Sequence, residues 1–553
     1  MSLFQVCVVG TFSLVLYKAI HVLLREQQGI DLDGPDRGHW LLGNVNRLFE
    51  DGIEYCVGIV DRYGGAVRLH GPYGELVYLA DPRALYHMVV KDQHMFEETE
   101  DFIMSNKLLF GDGLVGTVGE QHRRQRKLLN PLFSTINMRR LLPTLHPIAE
   151  RLTSTLAAKL PADGCTTKRN RLFSHGSPAA RSTAFVNASL GIPPTASQQQ
   201  MMMRLCTQNS TLLRRFVVLV NRYCSPYWAR RVLDLVTAPW IPTQFMKHAF
   251  AEKKSDVEAE DMSCEDSRSP PSMMNIMLKA NSMSSKANQL TDAEMFGQMN
   301  SMVFAGLDTT YCRTSYAAST CLPMNPHIQA RLRSEIRDAM KSSMHQDDDD
   351  TTSARLPYDV LNNLPFLDGV IKETLRLYPS FPIMLRKTTE TTSLPLRFPV
   401  RTRAGVETST VTMPQGSHAI ISILAANRHK EIWGPDANEW IPERWLAEEQ
   451  GQSAPTLGVK DGVRFPAVYS NIAQDDSSSA ATAPAGFKFA EIEIKKVVAT
   501  LIVRLHFALP TDKEIQWKLW VFHVPVVKPP AGDGVTPQVP LTVRLAREDD
   551  FRW

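Results

Sequence analysis

Between Gly119 and Ser134 the chain reads GEQHRRQRKLLNPLFS, and basic side chains crowd its centre: His122, Arg123, Arg124, Arg126 and Lys127. A guanidinium offers its N–H donors as a planar fork that matches carboxylates and phosphates. The stretch therefore suits an anion clamp. A solvated basic helix face or a membrane-touching patch would use the same residues.

A second stretch, Ala305 to Thr310, reads AGLDTT. Helix interiors favour Ala, Leu and Glu, so Gly followed by Asp-Thr-Thr is a poor local choice. A Thr hydroxyl bonds back to the carbonyl one turn earlier and distorts the helix. The glycine at 306 leaves room for a ligand against the backbone. A simple helix bend explains the same residues.

Glu373 and Arg376 lie three apart in KETLR, on one side of a helix, where they pair. Exposed pairs of this kind contribute little. The stretch GPDANEWIPERW, Gly434 to Trp445, adds Arg444 in a Pro-rich loop. Joined to the first two, Arg444 would complete a Glu–Arg–Arg cluster that locks the loop to the helix. A solvated loop arginine is the alternative.

These residues need elements to hold them. AVRLHGPYGELVYLADP, Ala66 to Pro82, alternates and turns like a strand pair. From Asp101 to about Leu160 the pattern is helical, whereas residues 163–200 have no clear period. Thr291 and Glu294 form a Thr-x-x-Glu capping box that opens a long helix through Thr310. Asn362 to Pro379 is another helix, with Pro365 near its start and Pro379 at its end. A further helix carries an apolar stripe at Phe487, Ala490, Ile494, Val497, Val498, Leu501 and Leu505, with a Glu491–Lys495 pair one turn apart. Beyond Pro510, WKLWVFHVPVV and VPLTVRLA are strand-like.

The 553 residues fit one large-core enzyme or two domains. A net charge of +3 carries no nucleic-acid signature. The 8 cysteines form no CxxC pair, which argues against zinc and a disulfide framework, and none follows Cys321. There is no P-loop, no GxGxxG after a strand and no nucleophile elbow.

At the N-terminus, Leu3 to Tyr17 is uncharged and mostly apolar, and the apolar character runs on to Leu24. About 20 such residues span a bilayer. Neither a basic leader nor a small-residue cleavage site marks it as a signal peptide. Lys18 and Arg25 favour a cytoplasmic side after it. The expected organisation is a membrane anchor over 1–24, a linker and Pro/Gly-rich lead-in over 25–43, and a catalytic domain over 44–553.

Taken in order, the HRRQR helix, AGLDTT, ETLR and PERW resemble the cytochrome P450 haem-thiolate monooxygenases, in the style of a fungal, microsomal member. The resemblance covers the whole chain, least well over 163–260. It implies a mainly α fold with small β-sheets, the cytochrome P450 fold, preceded by one transmembrane helix. It implies haem b as cofactor and insertion of one oxygen atom from O2 into an apolar small molecule of secondary-metabolite, terpenoid or xenobiotic type. Electrons would come from NADPH through a cytochrome reductase. The expected place is the endoplasmic reticulum membrane, single-pass, with the catalytic domain facing the cytosol. By the same resemblance Asp308 and Thr309 match the acid–alcohol pair that delivers protons to dioxygen at the iron. His122 and Arg126 match a clamp on the haem propionates, and Arg386 a third propionate contact. Glu373, Arg376 and Arg444 match a structural triad.

The resemblance also requires a Phe-x-x-Gly-x-Arg-x-Cys-x-Gly loop before the helix at Phe487, whose thiolate binds iron axially. Here Asn471 to Ala485 reads NIAQDDSSSAATAPA, and Pro484 stands where the cysteine belongs. Proline has no ligand atom and no N–H. No His, Met or Tyr in the stretch replaces it, and Asp475 and Asp476 are poor thiolate mimics. Because the helix that follows is intact, a short out-of-frame or mis-spliced segment would account for the loss. The alternative reading is a haem-free, catalytically inactive P450-fold binding protein, or the product of a faulty gene model.

Overall fold

A computed structural model describes residues 29–160, 167–169, 250–255, 272–302, 322–344, 355–449, 486–509 and 513–551, apart from a few positions inside these ranges. The chain is mainly helical with small sheets. Its principal helices are α1 (Gly52–Tyr63), α2 (Glu100–Phe110), α3 (Gly119–Leu129), α4 (Thr135–Ala157), α5 (292–302), α6 (Pro326–Met344), α7 (Pro365–Leu377), α8 (Arg444–Glu449) and α9 (Phe487–Arg504).

The stretch from Asp101 to about Leu160, expected as helical in pattern, is chiefly three helices. Gly111 has φ 87° and Gly119 has φ 62°, conformations that side-chain-bearing residues rarely adopt, so the chain turns between α2 and α3. Ser134 then opens α4 as an N-cap, accepting from the Asn137 amide at 3.4 Å.

The expected strand pair is an antiparallel hairpin of β1 (Ala66–Gly71) and β2 (Gly74–Leu79), with Ala66 opposite Leu79. It belongs to a five-stranded sheet of order β1-β2-β8-β5-β3, with β3 at Phe96–Glu97, β5 at Ile383–Thr388 and β8 at His418–Ser422. The β2–β8 pairing is parallel and the others are antiparallel, while β6 (Thr392–Arg401) and β7 (Glu407–Met413) form a separate antiparallel hairpin. WKLWVFHVPVV folds into the hairpin β10 (Ile515–Leu519) and β11 (His523–Val527). VPLTVRLA supplies β12 (Leu541–Leu545), between β4 (Thr167–Arg169) and β9 (Leu505–Ala508).

Two large apolar clusters form the interior. One lies between the five-stranded sheet and α1, around Val67, Leu69, Tyr78, Leu79 and Ile59. The other gathers the helices around α9. The apolar stripe expected on α9 is present but wider, because Phe489, Ile492, Ala499 and Ile502 are buried too. α4, α6 and α7 pack against this one helix. Even Lys495 is buried, held by Glu491 at 2.9 Å, Asp368 at 2.8 Å and the Asn362 carbonyl at 3.0 Å. The expected Glu491–Lys495 pair thus extends into a tie between α9 and α7.

The start of α7 has no cap of its own. Glu335 of α6 supplies one, its two oxygens accepting from the Phe366 and Leu367 amides at 2.7 and 2.8 Å. Free amides at a helix start need such partners, and a carboxylate also suits the positive end of the helix dipole.

The apolar segment at Leu3 to Leu24 lies outside the described residues, and so does AGLDTT from Ala305 onward. Among the described residues no helix is long and apolar enough to cross a membrane.

Candidate functional site

Glu373 and Arg376 occupy the last turns of α7, both buried. Arg376 donates Nε to Oε2 and Nη2 to Oε1 of Glu373, each at 2.8 Å. Its remaining N–H groups reach the Asn427, Ala437 and Glu439 carbonyls at 2.7, 2.6 and 2.9 Å. Arg444, at the start of α8, donates Nε to the same carboxylate at 3.3 Å and Nη2 to the Asp436 carbonyl at 2.8 Å. Trp445 Nε1 and the Ile441 amide complete the shell of Glu373 at 3.1 and 2.9 Å. The structure therefore brings Glu373, Arg376 and Arg444 together. None of them is a solvated surface charge. They clamp residues 427–445 onto α7.

α3 divides its basic residues by direction. Arg123 turns to solvent and pairs with Glu120 at 2.7 Å. Lys127 is exposed. Arg124 reaches Glu294 of α5 at 2.6 Å. His122 and Arg126, one turn apart, are half-buried. Burial lowers the pKa of His122, and neighbouring Arg126 lowers it further. Burial also lowers that of Arg126. Two basic groups one turn apart in a half-buried place present N–H donors that match an anion.

Arg386 lies in β5 and forms an ion pair with Glu98 at 2.6 Å, just past β3. Burial raises the pKa of Glu98 and Arg386 opposes that rise. The third expected anion contact thus already has a carboxylate. Asp308, Thr309 and Pro484 lie outside the described residues.

Glu294 was legible in the sequence only as a cap. The box is present: the Thr291 amide donates to Oε2 at 2.9 Å, and the Glu294 amide donates to Thr291 Oγ1 at 3.3 Å. The second oxygen, Oε1, accepts from Arg124, from Gln121 at 3.0 Å and from Gln125 at 3.4 Å. Burial would raise this carboxyl's pKa, but the surrounding donors outweigh it and hold it down to about 2. Gln125, fully buried, also donates to the Asp112 carbonyl at 2.8 Å and accepts from Thr117 Oγ1 at 3.0 Å. One further contact was not readable. A Cβ on Gly113 would sit 2.4 Å from the Gly297 carbonyl oxygen, so the 111–117 segment lies backbone to backbone on α5.

The sequence profile described as cytochrome P450 matches residues 33–465, more than half of the chain. The chain belongs to the cytochrome P450 family. It is 30% identical to cytochrome P450 monooxygenase 91 of Postia placenta, over 96% of this chain and 97% of that one. Cytochrome P450 monooxygenase 81 of the same fungus is 31% identical, over 93% and 92%. Ganoderic acid synthetase CYP5150L8 of Ganoderma lucidum is 29% identical, over 88% of each chain. By resemblance the chain is a P450 monooxygenase.

P450 membership implies haem, and the chain fits that group unevenly. The desolvated His122–Arg126 pair suits haem carboxylates in its donor chemistry. The axial position does not fit: Asn471 to Ala485 contains no thiolate and no imidazole. The profile match ends at residue 465, ahead of that stretch.

Proposed function

We propose that the chain is a membrane-anchored, haem-dependent monooxygenase of apolar small molecules whose axial-ligand loop is lost from the sequence as written. The observation that carries this reading is the His122–Arg126 pair, two half-buried bases aligned one turn apart on α3. A haem-free scaffold would have no physical need for both the HRRQR residues and the Asp308–Thr309 pair. Bound haem would supply the activation of dioxygen. His122 and Arg126 would orient the cofactor through its carboxylates, while Asp308 and Thr309 would hold protons for the reaction. A relative named ganoderic acid synthetase supports a secondary-metabolite substrate. The apolar run at Leu3 to Leu24 supports an anchor in the endoplasmic reticulum with the catalytic domain facing the cytosol, and NADPH-cytochrome reductase as electron donor.

The second reading is a haem-free binding protein of the same fold. Pro484 favours it, having neither a ligand atom nor an N–H to offer. The test is the reduced carbon monoxide difference spectrum of the full chain as written and of a form in which a Gly-rich, Cys-bearing loop replaces Asn471 to Ala485. The expected result is no thiolate-type band from the first and a band from the second. A thiolate-type band from the chain as written would overturn the loss of the ligand. Absence of haem from both forms would leave the binding-protein reading standing.

A further inference from the structure

Glu294 of α5 lies 169 to 173 residues from its partners on α3, yet its one carboxylate joins the two helices. Glu294 Oε1 takes Arg124 at 2.6 Å, Gln121 at 3.0 Å and Gln125 at 3.4 Å, while Oε2 takes the Thr291 amide at 2.9 Å and its hydroxyl at 3.1 Å. The side chain is 5% exposed, so these bonds are made out of water. Between the two helices, the 110–117 segment is pinned to α5 at three more points. Asn300 donates to the Phe110 carbonyl at 3.2 Å, Gln298 Oε1 accepts from the Leu114 amide at 3.0 Å, and Gly113 touches Gly297.

The geometry has a rotational meaning. Successive residues on an α-helix turn by roughly 100°. Gln121, Arg124 and Gln125 share one face of α3, and His122 and Arg126 share the neighbouring face. Whatever fixes the first face fixes the direction of the second. The same carboxylate fixes the N-terminal end of α5.

We infer that Glu294 is a positioning residue, which sets the rotation of α3 against α5 and so aims His122 and Arg126. Resting on the haem reading given above for what the pair holds, this assigns Glu294 to cofactor geometry rather than to helix capping alone. Ordinary capping would need only Oε2. Oε1 is committed entirely to α3.

The test uses the full chain as written, with amide hydrogen exchange and ferric protoporphyrin titration as readouts. Glu294→Ala removes both functions of the carboxylate. Arg124→Met leaves the capping box whole and covers the case in which Glu294→Ala does not fold. Thr291→Val removes the cap hydroxyl and spares the α3 contacts. Loss of charge-assisted bonds predicts exchange in residues 119–129 about tenfold faster in the first two variants and unchanged in the third. Porphyrin affinity is expected to fall about tenfold in the first two, and the Glu294→Ala, Arg124→Met double variant to lose no more than Glu294→Ala alone. Wild-type exchange across 119–129 in both Glu294→Ala and Arg124→Met would overturn the inference, as would a Thr291→Val effect equal to that of Glu294→Ala. If neither the wild-type chain nor the form carrying the Gly-rich, Cys-bearing loop takes up porphyrin, the haem reading fails, and the exchange data still decide whether Glu294 sets α3.

Discussion

Arg376 and Glu373 meet edge to edge, with two N–H···O bonds of 2.8 Å joining a side chain 1% exposed to one with no exposure at all. Because the remaining Arg376 side-chain hydrogen bonds go to backbone carbonyls between 427 and 439, and its guanidinium lies over the Trp433 ring, the pair is a fastener for that segment. Taking away one partner leaves a buried charge alone, which costs about 3–5 kcal/mol. Glu373→Ala is therefore expected to lower stability by that amount, read from the urea midpoint, and to increase exchange at amides 427–445. A change below about 1 kcal/mol, the range of surface pairs, would show that the pair is solvated.

Glu294 makes stability depend on acid. Its carboxyl titrates near 4.5 when unfolded and about 2 when folded. Between those values the unfolded chain binds the proton and the folded one does not, so the contribution is complete above pH 4.5 and is lost as pH falls toward 2. The stability gap between wild type and Glu294→Gln is expected to be constant from pH 7 to 5 and to narrow steadily below. A gap that stays constant down to pH 3 would contradict this.

Lys496 destabilises at neutral pH, although its contribution, like that of Glu294, improves as pH rises. Burial lowers its ammonium to about 8 and nearby Arg355 adds to this, against the pull of Glu150. The unfolded value is 10.5, so between 8 and 10.5 the unfolded chain holds the extra proton and folding gains with rising pH. Lys496→Met should stabilise the protein at pH 7, with the advantage shrinking by about 3 kcal/mol on going to pH 10.5. Chemical denaturation at pH 7, 9 and 10.5 measures it; a variant without that advantage at pH 7 would count against it.

Gly113 and Gly297 leave no space between two backbones. Gly297→Ala would put a Cβ 2.4 Å from the Gly113 nitrogen, and only backbone movement relieves that. The expected cost is about 1–3 kcal/mol, with faster exchange confined to 110–117. A neutral result would mean that the segment does not rest on α5.

What the sequence made legible was periodic or local. The α9 stripe, the Thr291–Glu294 box, the hairpin at Ala66–Pro82 and the Glu373–Arg376 spacing all lie within a few residues of themselves. Arg444 could be proposed as a partner only because its Pro-rich loop suggested a clamp. The rest depended on distance along the chain. Arg124 and Glu294 are 170 positions apart, and Arg386 and Glu98 far apart too, so no spacing rule pairs them. Glu335 reads as one more polar residue of an amphipathic helix, and only the fold shows it capping another. The helical pattern after Asp101 was right in type and silent on where glycines divide it. The axial ligand was readable as a gap in the sequence itself.

Arg333 is 1% exposed and donates to the carbonyls of Ile502, Leu505 and Asp550 at 2.6, 3.0 and 3.0 Å. The first two are orphan carbonyls at the end of α9, so this cation finishes that helix from outside. Its partners are made 169 to 217 residues later than it is. On the ribosome, the seam of α6 at Arg333 therefore stays open until residues 169 to 217 positions further along have emerged. The core helix α9 can be sealed only after synthesis reaches the region of Asp550.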